Sequence, residues 1–150
     1  HQYPRYGVGT AGVEDMVKKK TDEWGTPPLV VVDYASLLDT TSRDRRDIEI
    51  GQIHAELSAI AVRNSVPIWT PFQTNRIALY QKGGEIGMEH AGGSYEALQH
   101  VDVVLTLDQD KEDQRKNRMR VNMERSRESG GAYCTVAYDW GKSEVEEIQV

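Results

Sequence analysis

The stretch that decides the fold is Leu29-Val30-Val31-Val32-Asp33-Tyr34, in which four apolar residues lead directly into an acidic one. Pro27 and Pro28 come just before it. A run without polar interruption is typical of a strand that is buried on both faces, as in a parallel α/β sheet. We therefore expect the Asp33 carboxylate at the carboxyl edge of the sheet, where such folds bind ligands.

An acidic residue at the end of such a strand is the form that the Mg²⁺-facing Asp takes in P-loop NTPases. The phosphate-binding pattern that accompanies it, G-x-x-x-x-G-K-[ST], does not occur in this sequence. The alternative interpretation of Asp33 is a strand-end residue that caps a turn. Because residue 1 is His rather than Met, we expect the chain to begin inside a longer reading frame.

Composition limits the class of protein. The 150 residues are 38% hydrophobic and 28% charged, which is typical of one globular domain. The net charge of -6 gives no global reason to expect nucleic acid, so any DNA contact must be local. One cysteine excludes an internal disulfide and favours a cytoplasmic location, and no apolar run is long enough to span a membrane.

Periodicity predicts alternating strands and helices. A first helix starts with Thr10 as N-cap and ends before Gly25. A second, longer helix runs from a capping box at Thr41 to about Asn64, and Ser94 caps a short helix that reaches His100. Buried strands are predicted at Leu29–Val32, Val66–Thr70 and Val103–Leu107.

The pattern changes after Asp108. Apolar residues alternate with polar ones at 118–124 and again at Tyr133–Trp140, which predicts two half-buried strands. Ser129-Gly130-Gly131 supplies the turn of an antiparallel hairpin. The fold class predicted is α/β, with a mainly parallel sheet, helices on both faces and a C-terminal antiparallel hairpin extension.

Four blocks, in this order and spacing, carry a resemblance to a known family. They are Val31-Val32-Asp33-Tyr34-Ala35-Ser36-Leu37-Leu38, the strand Val66–Thr70 with its continuation to Gln73-Thr74-Asn75-Arg76, the segment from Gln99 to Asp102 with the strand after it, and Arg125-Ser126-Arg127. They resemble the metal-site strand, the Gln-x-Asn-Arg strand end, the Gln-x-x-Asp strand entry and the Lys/Arg-x-Arg turn of the RecA-like motor domain in DnaB-type replicative helicases, particularly phage-type members. The resemblance runs from about Tyr3 to Trp140.

The resemblance implies a partial RecA-like P-loop NTPase core, with residues 1–150 as one partial domain and the P-loop part upstream. The parent protein would be an ATP-dependent DNA helicase that uses ATP and Mg²⁺ to move along single-stranded DNA. It would act as a homo-oligomer, a hexameric ring, with no role at a membrane. The chain alone would bind no cofactor and would be inactive, because the P-loop and the general-base Glu are missing.

The resemblance also implies roles for individual residues. Asp33 would hold Mg²⁺ through water, and Gln73 would sense the γ-phosphate, although a loop amide that satisfies backbone groups is the alternative. Arg127, with Arg125, would reach the nucleotide of the neighbouring subunit, where the alternative is a solvated turn.

Weaker expectations concern DNA. Arg76 and Lys82 flank a glycine-rich loop and would contact DNA phosphates. The segment 111–127 carries seven basic and three acidic residues, for which we favour a solvated face over a phosphate-binding patch. His54 and the other histidines are interpreted as surface residues.

The sequence departs from the family at two visible places. His90-Ala91-Gly92-Gly93-Ser94-Tyr95 replaces a family Asp-Leu-Arg-Glu-Ser-Gly stretch, and Arg125-Ser126-Arg127-Glu128-Ser129 replaces Lys-x-Arg-Asn-Gly. Two other functions stay open: a RecA- or KaiC-like ATPase without a helicase role, and a non-catalytic RecA-like module that binds partners or DNA.

Overall fold

The computed structural model describes residues 7–25, 27, 29–39, 46–72, 95–126 and 131–148. The described elements are α1 (Thr10–Trp24), β1 (Val30–Val31), a 3₁₀ turn (Ala35–Leu37), α2 (Arg46–Asn64), β2 (Ile68–Trp69), α3 (Tyr95–Gln99), β3 (Val103–Asp108), α4 (Lys111–Arg115), β4 (Arg118–Ser126), β5 (Tyr133–Asp139) and β6 (Glu144–Ile148). They form two compact units, the first from α1 to α3 and the second from β3 to β6. The predicted α/β class is confirmed, and the single partial domain over residues 1–150 stays a prediction.

Helix α1 has the predicted bounds, with a different cap. Gly9 is the N-cap, so Thr10 is the first helical residue and its hydroxyl instead contacts Glu56 of α2. The helix ends where Gly25 takes φ of 83° and donates its N–H to Thr21 O at 2.8 Å. A positive φ costs glycine little, which is why the helix stops there.

Helix α2 supplies most of the core of the first unit. Its predicted start at Thr41 lies outside the described residues, and its predicted end at Asn64 is confirmed. Apolar residues three and four positions apart form one stripe, as the sequence predicts. The core cluster consists of Val13, Ala35, Ile53, Leu57 and Ile60.

Strands β1 and β2 pair in parallel, with Val30 opposite Ile68 and Val31 opposite Trp69. The predicted parallel pairing is therefore confirmed. The predicted burial on both faces is wrong, because Val31 is 63% exposed and Trp69 58%. Val32 and Ile68 pack against the core, so one face of the strand pair is covered. The other face, with Val31 and Trp69, is exposed among the described residues.

The second unit is an antiparallel sheet in the order β3-β4-β5-β6. The predicted hairpin is present as β4 and β5, with Val121 opposite Cys134. The predicted third buried strand exists as β3, but it pairs antiparallel with β4 and only one face of it is buried. That buried face carries Thr106, whose hydroxyl donates to Glu124, and Asp108, whose Oδ2 lies 3.8 Å from Arg120 Nη2 without a hydrogen bond among the described residues. The opposite, apolar face is exposed at Val103, Leu105 and Leu107.

Strand β6 and helix α4 were not predicted. Asp110 caps α4 by accepting hydrogen bonds from the N–H groups of Glu112 and Asp113, both at 2.8 Å. Among the described residues, no helix combines the length and the apolar character that crossing a membrane requires.

Candidate active site

The ends of the two parallel strands lie at one edge of their sheet. The Val32 N–H donates to Trp69 O at 2.9 Å, which is the last ladder contact before Asp33. Beyond it, the Ala35 N–H donates to the hydroxyl of Thr70 at 2.8 Å. This second hydrogen bond holds the segment that follows β1 against the segment that follows β2. Thr70 was not singled out from the sequence, although a hydroxyl residue between a strand and Pro71 is a signal for such a contact.

Asp33 lies where the sequence predicts, directly after β1. Its side chain is exposed, its peptide bond to Tyr34 is cis, and no described residue donates a hydrogen bond to its carboxylate. In the described ranges, no group of three or more His, Cys, Asp or Glu side chains could hold a metal ion. One exposed carboxylate suits Mg²⁺, which keeps several waters and takes its other oxygens from substrate phosphates. A metal held here would have one described protein ligand, Asp33, and would need its other oxygens from water and phosphate.

Four predicted site residues lie outside the described part of the chain, namely Gln73, Arg76, Lys82 and Arg127. The residue before Gln73 is described. The Phe72 ring meets the ring of His54 edge to face, with 5.9 Å between the ring centroids. This contact fastens the exit of β2 to helix α2.

His54 is not the surface residue that the sequence predicts. Only 5% of it is exposed, and its Nδ1 lies 2.8 Å from Ile50 O. Burial lowers the pKa of His54 below its ordinary value of 6.5, and the nearby His100 lowers it further, against the opposite effect of the Ile50 carbonyl. His54 therefore packs as a neutral ring behind the end of β2.

Arg125, the other described member of the predicted site, lies on β4 in the second unit. It is half-buried and is paired opposite Val104 of β3. Asp33 belongs to the first unit and Arg125 to the second.

The basic segment 111–127 is only in part the solvated face that the sequence predicts, because Lys111, Arg115 and Lys116 are exposed whereas Arg118 and Arg120 are partly buried in ion pairs. Arg118 Nε lies 2.5 Å from Asp113 Oδ1, and Arg120 Nη1 lies 2.7 Å from Asp113 Oδ2 and 3.2 Å from Asp110 Oδ2. Backbone N–H groups, that of Asp113 first, and the Arg120 guanidinium lower the pKa of Asp110. Counting charges from residue 111 misses Asp108 and Asp110, which are the partners just upstream.

Comparison with solved structures gives two similar folds. The ATPase domain of a phage protein matches 95% of this chain with a TM-score of 0.87 at 19% sequence identity. A DnaB-like replicative helicase, solved for its interactions with primase, matches 92% with a TM-score of 0.83, also at 19% identity.

The chain spans only part of either solved chain, 52% of the phage ATPase domain and 34% of the DnaB-like helicase. No family model matches the sequence, and a search of curated proteins gives no match. The structural likeness was nevertheless anticipated by the four sequence blocks. The chain therefore has the fold of part of the phage ATPase domain and of part of the DnaB-like replicative helicase.

Proposed function

We propose that this chain is the C-terminal part of the ATPase motor domain of a DnaB-type replicative helicase, which couples ATP hydrolysis to movement along single-stranded DNA. The fold likeness carries the proposal. The parallel pairing of β1 with β2 supports it, because Asp33 and the segment leading to Gln73 leave the sheet at the same edge. This edge is where open α/β sheets bind their ligands.

The proposed chemistry divides between two subunits. On one side, Asp33 holds the Mg²⁺ of a bound ATP through water, and Gln73 detects the γ-phosphate through its amide. The metal, when bound with the nucleotide, neutralises charge that develops on the phosphate oxygens. On the other side, Arg127 and Arg125 of the next subunit present guanidinium groups to the same phosphates. This division requires a homo-oligomer, for which we propose a hexameric ring in the cytoplasm.

DNA would be bound in the centre of such a ring. Arg76 and Lys82 are the proposed phosphate contacts, since they flank the glycine-rich segment of the sequence. Backbone N–H groups of a loop can bind phosphates as well as basic side chains do, so we expect substitution of either residue to weaken rather than abolish binding.

The direct test is the Asp33→Asn substitution in the longer protein that contains this chain. The reading frame upstream of His1 should encode a P-loop. Asp33→Asn removes the negative charge without changing volume, so hydrolysis should be lost while far-ultraviolet circular dichroism stays unchanged. The matched control is Asp39→Asn, a second exposed aspartate after β1, which should keep native turnover. Near-native hydrolysis by Asp33→Asn, or an upstream frame without a P-loop, would contradict the proposal.

The arginine role has its own test in mixed oligomers. Arg127→Ala subunits and subunits with a disabled P-loop Lys should each be nearly inactive, since losing such an arginine costs about 10³–10⁵ in rate. When the two are mixed, some interfaces join an intact P-loop to an intact Arg127, and hydrolysis should partly recover. Full activity of Arg127→Ala alone would reject the role.

A further inference from the structure

Strand β4 carries Arg125, and its alternation is interrupted just before that residue. Met119, Val121 and Met123 occupy the odd positions and face one side of the sheet, because side chains of a strand alternate. Regular alternation would place Arg125 on that apolar side. The pairing of β4 with β3 shows that it does not lie there.

A β-bulge at Glu124 moves Arg125 to the polar face. Leu105 is opposite Met123, yet Val104 is opposite Arg125, so β4 has one extra residue, Glu124. The side chain of Val104 lies on the opposite face of the sheet from that of Leu105, and Arg125, being paired with Val104, lies on the same face as Val104. The Thr106 hydroxyl, which is buried on the same face, donates to Glu124 Oε1 at 3.3 Å. Bulges of this kind redirect the side chains that follow them.

The other end of β4 is held by what we call the aspartate–arginine anchor, which consists of Asp108, Asp110, Asp113, Arg118 and Arg120. Asp108 is opposite Arg120 in the ladder, with 3.8 Å between Asp108 Oδ2 and Arg120 Nη2. Asp108 and Asp113 are only 3% and 1% exposed. Arg120 is the one side chain in an ion pair with all three aspartates among the described contacts.

The anchor opposes a change of register between β3 and β4. If β4 slipped by one residue, Met119 or Val121 would come to lie opposite Asp108. The buried carboxylates would then face an apolar side chain, and burying a charge without its partner is costly. A slip would also move every side chain of β4 to the other face of the sheet.

We propose that Arg120 is a positioning residue for Arg125, the described member of the arginine pair Arg125 and Arg127. Its ion pairs with three aspartates oppose a slip of β4 along β3, and this keeps Arg125 opposite Val104 on the polar face. The inference rests on the proposed function, in which Arg125 and Arg127 act on the nucleotide of the neighbouring subunit. Five residues of extended strand, about 17 Å, separate Arg120 from Arg125, so Arg120 itself touches no nucleotide.

The test is Arg120→Met in the longer protein, which keeps the length of the side chain and removes its charge. A displacement of about 1 Å at a reacting group can cost about 10²-fold in rate, so hydrolysis should fall by about that factor. The KM for ATP should stay within about twofold, because the subunit's own P-loop and Asp33 are intact. The matched control is Arg115→Met, an exposed arginine on α4 outside the anchor, which should keep native turnover.

Mixed oligomers separate positioning from simple destabilisation. Arg120→Met subunits mixed with P-loop-disabled subunits should recover activity to the same fraction as Arg127→Ala subunits do. A subunit that is merely unstable would fail its own site as well as its neighbour's and would give no recovery.

Each outcome has one meaning. Recovery with Arg127→Ala but not with Arg120→Met, or native turnover of Arg120→Met alone, overturns the positioning role and leaves the proposed function intact. No recovery with Arg127→Ala overturns the trans role of the arginine pair, and the inference with it. If Arg120→Met does not fold, Arg120→Lys carries the same test, because it keeps a positive charge near the buried carboxylates but loses the planar fork of donors.

Discussion

Asp113→Asn should strongly destabilise the second unit, although the substitution changes no volume. The Asp113 side chain is 1% exposed and contacts two guanidinium groups, at 2.5 Å from Arg118 and 2.7 Å from Arg120. Its Oδ2 also accepts a hydrogen bond from the Asp110 N–H at 3.3 Å, which completes the cap of α4. An asparagine can replace only part of these contacts.

The magnitude follows from the surroundings of the two arginines. Removing one partner of a buried ion pair costs about 3–5 kcal/mol. The Arg118 and Arg120 side chains are 22% and 32% exposed, so water can solvate part of the charge that remains. We therefore expect a loss of about 2–3 kcal/mol in the free energy of unfolding, below the fully buried case.

Urea denaturation followed by circular dichroism measures the effect. With a urea dependence of about 1.5 kcal/mol per M, the midpoint should fall by about 1–2 M. The matched control is Glu112→Gln, whose ion pair with Lys116 at 2.6 Å has both side chains more than half exposed and should matter little. If Asp113→Asn and Glu112→Gln unfolded at the same urea concentration with equal slopes, Asp113 would not be a buried member of the anchor.

Three further predictions concern the first unit. Burial lowers the pKa of His54, so the unfolded chain binds a proton at this residue more readily than the folded chain does. The contribution of His54 to stability should therefore be full above pH 6.5 and should fall as the pH drops towards the folded-state pKa. The difference between the urea midpoints at pH 7.5 and pH 5.5 should be smaller in His54→Gln than in the unsubstituted protein. Hydrogen bonding to Arg63 lowers the pKa of Glu14 to about 2. The Arg63→Ala substitution should raise this pKa back towards 4.5, which an NMR titration of the Glu14 carboxylate would measure. Ile60→Ala should cost about 2–5 kcal/mol in urea unfolding, whereas Val62→Ala, at an exposed position of the same helix, should be nearly silent; equal effects would place Ile60 outside the core.

The helices could be predicted from the sequence because their signals are local. The stripe that includes Ile53, Leu57 and Ile60 repeats every three to four residues, and Gly25 ends α1 through its own backbone conformation. The parallel strand pair was also predictable, since the continuous apolar run before Asp33 is typical of one.

The second unit was harder to predict because its decisive contacts join distant residues. The apolar run at β3 indicates a buried strand, but burial is decided by what lies against each face, and the buried face carries Thr106 and Asp108. The partners of Arg120 are set by strand register and by the cap of α4, neither of which a charge count contains. One signal was available: Arg125 breaks the odd-position alternation of β4, which indicates a bulge.

The hydrogen bond between the Ala35 N–H and the Thr70 hydroxyl limits which residues natural variants can carry at position 70. The ladder between β1 and β2 has only two residue pairs, so this side-chain contact is a large share of what joins the strand ends. Valine has the shape of threonine without the hydroxyl and would leave the Ala35 N–H without its acceptor. Serine keeps the hydroxyl and can accept the same hydrogen bond. Position 70 should therefore vary between threonine and serine among functional relatives, and a change to valine should release the segment that carries Asp33.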